Sequence, residues 1–581
     1  MNDMADHPKA AQPTSPLASP WLDAAAQAQR AMLGFWSNLA ETKAAPAPPA
    51  ADPAAMMKAG AEFWAQGLQV WQSWASAAQS GAALPSTLPD PATDKRFKAA
   101  EWRNPPFDAI ARNYLTVCER MMAAAESAPG LDAEAHARLR FATRALLDAA
   151  SPSNFPMTNP QVIKKTVETR GDNLFQGFEH FIRDLGAKQM THTAKDAFEV
   201  GRNLAMTPGK VVKETPLYQL IHYAPTTETV FETPLIIFPP WINRFYILDL
   251  SPEKSFVKWA VEQGLSVFMV SWKSADESMR DVVFDDYVVR GQIDAIDTVR
   301  DLLGVEAVHT IGYCVAGTTL AATLALLEAR GQADEVASAT FFTAQVDFED
   351  AGELKVFLGD EAMAGLARMT EKSGFLDGRI MSATFNTLRG RDLIWNYWVD
   401  NYMLGDDYKP FDLLHWNGDT TNLPAMWHND YLNTFYRGNK LAQAGGVSVD
   451  GTPIDLGIVR TPSYVQAGRE DHIAPPQSVF KITHHFKGPV RFVLAGSGHI
   501  AGVVNHPSSG KYGYWTNEGT SATLDAFVDG ATEHKGSWWP DWMAWLGPRS
   551  GAHVPADGAR VPGRGALPAI EDAPGRYVTT R

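Results

Sequence analysis

A cysteine, an aspartate and a histidine fall in that order along this chain, each at or just beyond the end of a run of β-branched or aliphatic residues. Cys314 sits in Gly312-Tyr313-Cys314-Val315-Ala316-Gly317, between the apolar run Val308-His309-Thr310-Ile311 and the helix-like stretch Thr318 to Leu327. Asp471 follows Pro462-Ser463-Tyr464-Val465-Gln466-Ala467-Gly468. His499 lies in Gly496-Ser497-Gly498-His499-Ile500-Ala501-Gly502, just past Val490-Arg491-Phe492-Val493-Leu494. Together they can perform nucleophilic acyl transfer: a thiolate attacks, an imidazole moves protons, and a carboxylate orients the imidazole. Rivals stand nearby. Glu470 adjoins Asp471, and His472 and His506 compete with His499. His499 is favoured because its flanking glycines let the backbone turn the ring inward, whereas His472 abuts the presumed acid. No H-E-x-x-H or C-x-x-C spacing occurs, so no metal is expected. On the hexapeptide alone a buried structural cysteine competes with a nucleophile, since free Cys is among the most buried residue types.

The elements that must position these residues favour the nucleophile. Strand, sharp turn and helix around Cys314 form the elbow of an α/β-hydrolase, a fold that supplies nucleophile, acid and histidine in this chain order. Such a strained turn needs small side chains two positions either side of the nucleophile, and Gly312 and Ala316 meet that need. The usual second glycine is shifted to Gly317, giving G-x-C-x-x-G. Asp471 and His499 both follow strand carboxyl ends, the edge where open α/β sheets place their sites. Further strands are predicted at Leu235-Ile236-Ile237-Phe238, which runs into Pro239-Pro240-Trp241-Ile242-Asn243, at Leu265 to Trp272 and at Thr340 to Ala344. The alternation then breaks over Phe348 to Gly446, a segment carrying Trp395, Trp398, Trp416 and Trp427. An insertion there reads as a cap, at about 348–446, that buries an apolar substrate and excludes water.

With 581 residues, 45% of them hydrophobic, the chain is too long for one ordinary domain. Residues 1–95 read as a partly disordered region with amphipathic helices: an Ala/Pro linker spans Ala44 to Ala50, and Trp64, Leu68, Trp71 and Ala75 recur at helical spacing. That aromatic stripe is either ordinary packing surface or a docking face. Residues 96–204 read as a helical domain, with a helix after Asp132 ending near Ala150 and an N-cap with proline at Asn159-Pro160. The catalytic α/β domain follows at 205–547, and the Gly/Pro-rich tail at 548–581 is expected to be loosely ordered unless Tyr577-Val578 pins its end. The fold class is thus α/β, an α/β-hydrolase with a cap insertion behind a mainly helical N-terminal domain. Lys and Arg total 51 against 66 Asp and Glu, and the net charge of −15 argues against nucleic-acid binding. Two cysteines, Cys118 and Cys314, far apart in sequence, allow no disulfide framework beyond a single bridge, which fits a reducing cytoplasmic setting. Neither a signal peptide nor a membrane span is evident.

The chain resembles the polyhydroxyalkanoate synthases, specifically the class I type that makes poly(3-hydroxybutyrate). The resemblance runs from Pro152-Ser153-Asn154-Phe155 through Pro239 to Leu250 and Leu423-Pro424-Ala425-Met426-Trp427-His428 to Ala573-Pro574-Gly575-Arg576-Tyr577-Val578, with the elbow Gly-Tyr-Cys-Val-Ala-Gly as its most specific part. It implies an acyltransferase that polymerises (R)-3-hydroxyacyl-CoA, 3-hydroxybutyryl-CoA foremost, and releases CoA. Cys314 would be the nucleophile and His499 its base. The oxyanion donors would be the backbone N–H of Val315, by elbow geometry, and that of Ile242 in the loop after Phe238. Asp471 has two candidate jobs, orienting His499 or activating the 3-hydroxyl of the attacking unit. No cofactor is implied, since CoA arrives as part of the substrate. The expected partners are the growing polyester, a second copy of the chain and granule-associated proteins, and the expected location is the cytoplasm, on polyester granules. The competing readings are a cysteine thioesterase of the same fold and a structural protein of the inclusion surface.

Overall fold

The computed structural model describes residues 88–580. The aromatic stripe through Trp64 and Trp71 therefore lies outside the described residues. Two compact units are present. Among the described residues the first comprises 88–132, 142–190 and 394–406, and the second comprises 133–141, 191–393 and 407–580.

The first unit is helical. Its main helices are Phe107–Glu126, Pro160–Glu168 and Asp172–Ala187. Asn159 caps the second, its side chain accepting from the N–H of Gln161 and Val162, and Pro160 occupies the first turn, where a missing N–H costs nothing. The helix Asp172–Ala187 lies flush on residues 398–403, because a Cβ on Gly177 would stand 2.0 Å from the carbonyl oxygen of Tyr402. Residues 394–406 thus belong to this unit, although they fall inside the 348–446 stretch that reads as a cap in the sequence.

The second unit is built on an eleven-stranded sheet. In chain order its strands are β1 (Gly209–Glu214), β2 (Tyr218–Tyr223), β3 (Leu235–Phe238), β4 (Val267–Trp272), β5 (Val308–Tyr313) and β6 (Val336–Phe342). They continue with β7 (Ser463–Gly468), β8 (Val490–Ala495), β9 (Gly513–Thr516), β10 (Thr532–Lys535) and β11 (Glu571–Asp572). Their spatial order is β10-β9-β8-β7-β6-β5-β3-β4-β2-β1-β11. The run β4-β3-β5-β6-β7-β8 is parallel, and the flanking strands pair antiparallel. The central parallel strands are covered on both faces, which is why Leu235–Phe238, Val267–Trp272 and Val308–Tyr313 are buried at every position rather than at every second one.

Behind the sheet, the helix Val315–Ala329 is buried from Val315 through Leu327, as its Ala, Thr and Leu on every side require. The helix Trp539–Leu546 packs elsewhere, and Trp542 donates its indole N–H to Thr340 Oγ1 at 3.0 Å. The tail is held, with Tyr577 and the buried Val578 pinning its end as the sequence allowed, rather than loosely ordered as its Gly/Pro composition suggests. Residues Glu571 and Asp572 add β11 to the edge of β1, and the Tyr577 hydroxyl donates to the carbonyl of Thr215. Its backbone finds partners that its side chains do not advertise. No helix among the described residues is long and apolar enough to cross a membrane.

Candidate active site

Cys314 stands between β5 and the helix Val315–Ala329 with φ 53° and ψ −125°, a left-handed conformation that a non-glycine residue adopts only under constraint. The constraint comes from both sides. Its N–H donates to Phe342 O at 2.9 Å, and its carbonyl accepts from the N–H of Gly317 and Thr318. A Cβ on Gly312 would come within 2.5 Å of Gly317 Cα, and one on Gly317 within 2.4 Å of Ala344 Cβ. The residue that lets strand and helix close is therefore Gly317, three places after the cysteine, and this accounts for the shifted glycine in the sequence. Deeper in, Gln292 Nε2 donates to Ala316 O at 2.9 Å while Gln292 Oε1 accepts from Thr323. This buried amide locks the first turn of the helix to the segment Tyr287–Ile293.

The structure brings the other two predicted side chains to this turn. Asp471 Oδ2 lies 2.7 Å from His499 Nδ1, with the aspartate side chain fully shielded from solvent. The second oxygen, Oδ1, accepts from the N–H of Ile473 and Ala474 at 2.8 and 3.0 Å. His499 is held in turn: its carbonyl accepts from the Tyr313 hydroxyl, and indole N–H groups of Trp538 and Trp539 tie down Gly502 O and Val503 O in the same loop. Burial opposes a charged imidazole, but the Asp471 carboxylate, hydrogen-bonded to it, and then the nearby Cys314 sulfur raise its pKa to about 10. The rivals do not share this place. Glu470 is exposed, His472 is half-buried with its pKa lowered by burial, and His506 bonds to Ser508 and packs on Trp539.

Beside Cys314 opens a cavity of about 190 Å³. That is below the ~300–1,000 Å³ of sites that engulf drug-sized ligands, and it suits a short acyl chain better than a whole coenzyme. Ile242 and Val315, the two expected oxyanion donors, line it together with Cys314. Val315 is the first residue of its helix, so its N–H has no acceptor within the helix. The loop after β3 is pinned at three points: Trp272 donates to Pro239 O, Thr421 to Trp241 O, and Trp416 to Arg244 O.

The remaining walls come from residues 354–385 and 423–436, where Leu366, Met369 and Phe385 supply apolar surface. Trp241 also lines the cavity, stacked on Tyr287 with centroids 4.2 Å apart, a position to which the sequence attaches no role. Tyr431, Tyr436 and His428 line it too and escape sequence reasoning. Burial, foremost, and the nearby Cys314 charge push both phenols well up, so each stays protonated. The surviving signal was the stretch Leu423 to His428, which is distinctive in the sequence but silent about which side chains turn inward. Neither cysteine is disulfide-bonded.

Fold and site together define an α/β-hydrolase-fold protein with a thiol on its elbow, and residues 234–505 match the family model for the alpha/beta hydrolase fold. Residues 93–260 match the model described as the N-terminus of poly-beta-hydroxybutyrate polymerase (PhaC). The chain is 44% identical to a poly(3-hydroxyalkanoate) polymerase of Methylorubrum extorquens over 91% of its own length and 87% of that protein's. It is 44% identical to the polymerase subunit PhaC of Rhizobium meliloti, over 84% and 80% of the two chains, and 42% identical to that of Cupriavidus necator, over 84% of each. The chain belongs to the poly(3-hydroxyalkanoate) polymerase family.

Proposed function

We propose that Cys314 carries the acyl group as a thioester while the chain polymerises hydroxyacyl-CoA into polyhydroxyalkanoate, the activity its family membership gives it. The observation that carries this reading is the Cys314 thiol on its strained turn, with the hydrogen-bonded and buried His499–Asp471 pair beside it, at the wall of an apolar cavity. The Cys314 thiolate attacks the carbonyl carbon of the CoA thioester, and the N–H groups of Val315 and Ile242 receive the oxyanion. Collapse breaks the carbon–sulfur bond to CoA, which leaves with the proton held by His499. The 3-hydroxyl of the next unit then attacks the acyl-cysteine. His499 takes the hydroxyl proton, a new ester bond forms, and the bond to Cys314 breaks to restore the thiol. Exchange between thioesters is nearly thermoneutral, so a cysteine suits repeated transfer.

Asp471 is assigned to orienting His499, because both of its oxygens are engaged and its side chain is closed to solvent. (R)-3-hydroxyacyl-CoA is the substrate class, 3-hydroxybutyryl-CoA foremost, and no cofactor takes part. The growing polyester is insoluble in water, so the protein resides on granule surfaces in the cytoplasm and acts as a homodimer, with granule-associated proteins as neighbours. Incubation with 3-hydroxybutyryl-CoA tests the reading: wild type should yield polymer and free CoA, and Cys314→Ala neither. Free 3-hydroxybutyrate in place of polymer would make the protein a hydrolase, and undiminished CoA release by Cys314→Ala would end the covalent route.

A further inference from the structure

The acyl cavity contains hydrogen-bonding groups that no protein atom satisfies. His428 is 5% exposed, lines the cavity, and neither ring nitrogen has a protein partner. Thr343, fully buried at the end of β6, also lines the cavity with its hydroxyl unpartnered. The neighbouring polar side chains are different. Thr318 Oγ1 donates to Gln345 O, Gln345 Nε2 to the Tyr436 hydroxyl, and Thr384 Oγ1 to Ile380 O. Polar groups left bare in an otherwise apolar wall are costly unless something that enters the cavity pairs with them.

The fold presents His428 rigidly. It follows Trp427 on the short helix Ala425–Asp430, and the Trp427 indole stacks on Phe284 with centroids 5.0 Å apart and planes 20° from parallel. Burial lowers the imidazole pKa to about 4, so the ring is neutral and offers one donor and one acceptor. A hydroxyl can pair with either, as donor or as acceptor. A plain alkyl chain answers neither.

We propose that His428 is a specificity-determining residue of the acyl cavity, hydrogen bonding an oxygen of the acyl chain, with Thr343 Oγ1 as a second contact of the same kind. The proposal rests on the acyl-transfer reading above and adds a selection: the cavity takes oxygen-bearing acyl chains over plain ones of equal length. A site built to pair with a substrate hydroxyl rejects an analogue lacking it far more strongly than an apolar pocket rejects a missing methylene.

The test is single-turnover CoA release from 3-hydroxybutyryl-CoA and from butyryl-CoA, read as a rate ratio. The ratio is internal to each preparation, so loss of folded protein cancels. Wild type should favour the hydroxylated ester. His428→Phe should slow it by roughly tenfold or more and butyryl-CoA by several-fold less, so that the ratio falls; His428→Gln, which keeps a donor and an acceptor, should recover part of it. Thr343→Val should move the ratio the same way by less. An unchanged ratio in His428→Phe, or equal recovery by His428→Leu and His428→Gln, overturns the assignment. A wild type that releases no CoA from either ester overturns the acyl-transfer reading first, and this one with it, before any variant is made.

Discussion

Cys314, Asp471 and His499, drawn from a span of 185 positions, form the proposed proton path, and its electrostatics can be tested residue by residue. Asp471 has no oxygen to spare: Asp471→Asn keeps the volume but presents an amide N–H or an uncharged oxygen to His499 Nδ1. Acylation itself should then fall by ~10³–10⁴-fold, as when a triad acid is neutralised, and single-turnover CoA release measures it. Normal acylation with failed elongation would instead return Asp471 to the attacking hydroxyl. The His499 pKa, raised to about 10, also makes a stability statement. Below the unfolded value of ~6.5 the imidazole is protonated in both states and the pair stabilises the fold fully; as pH climbs toward 10 folding must bind a proton and that contribution drains away. The stability gap between wild type and His499→Gln, followed by urea unfolding from pH 6 to 9, should therefore narrow as pH rises; a gap that widens sinks the assignment. At this scale the sequence was legible where chain order carries information. Cys314, Asp471 and His499 each end a strand, and one fold supplies that order. Choosing Asp471 over Glu470, or His499 over His472, needs the direction of a side chain, which neighbours in sequence do not disclose. His428 was illegible for the same reason, since its place in the cavity wall shows only in the folded chain.

Elements position these residues through close approach. The elbow closes because Gly312 and Gly317 have no Cβ, and Gly317→Ala would place a carbon 2.4 Å from Ala344 Cβ and 2.8 Å from Gly312 O. Backbone must move, so the variant should lose ~1–3 kcal/mol of stability and most of its acylation rate, the turn being what aims the thiol. Adding Ala344→Gly removes one of the two obstructions and should restore part of both. Thermal unfolding together with CoA release checks the pair, and a fully active Gly317→Ala would show that the turn tolerates what the packing forbids. Strand positions were readable because buried parallel strands are short apolar runs bounded by turn residues, as in Leu235–Phe238. Other elements were not. Tyr287–Ile293 winds as a wider π-helix, and nothing in its composition announces that Gln292 will reach Ala316 O. The break at Phe348 was visible, but residues 394–406 share their aromatic texture with the rest of the insertion and still fold with the other unit.

At the scale of the whole chain, the last residues reach back to the site's own loop. Arg244, two positions after the proposed oxyanion donor Ile242, is 2% exposed, and its guanidinium donates to Tyr577 O at 3.0 Å and to Thr580 O at 2.9 Å. Composition marked this tail as loose because Gly and Pro carry little side-chain information; its order comes from backbone carbonyls that meet a buried cation. Removing residues 570–581 takes away β11, the Tyr577 anchor and both of these acceptors. Arg244 keeps its pairing with Asp419 at 3.6 Å, so the truncation costs two hydrogen bonds to a charged donor, about 1.5–3 kcal/mol each. The truncated chain should therefore melt several degrees lower, and acylation should slow because the loop of the proposed Ile242 oxyanion donor loses its brace. Arg244→Met in the truncated chain separates two causes. If the lost guanidinium hydrogen bonds dominate, methionine, similar in length and without donors to satisfy, should recover part of the melting temperature; if the lost edge strand dominates, it should recover none. Acylation should stay low in both, since neither truncated chain rebuilds the contact between the tail and the loop, and full activity in either would show that the tail braces the fold without bearing on the site.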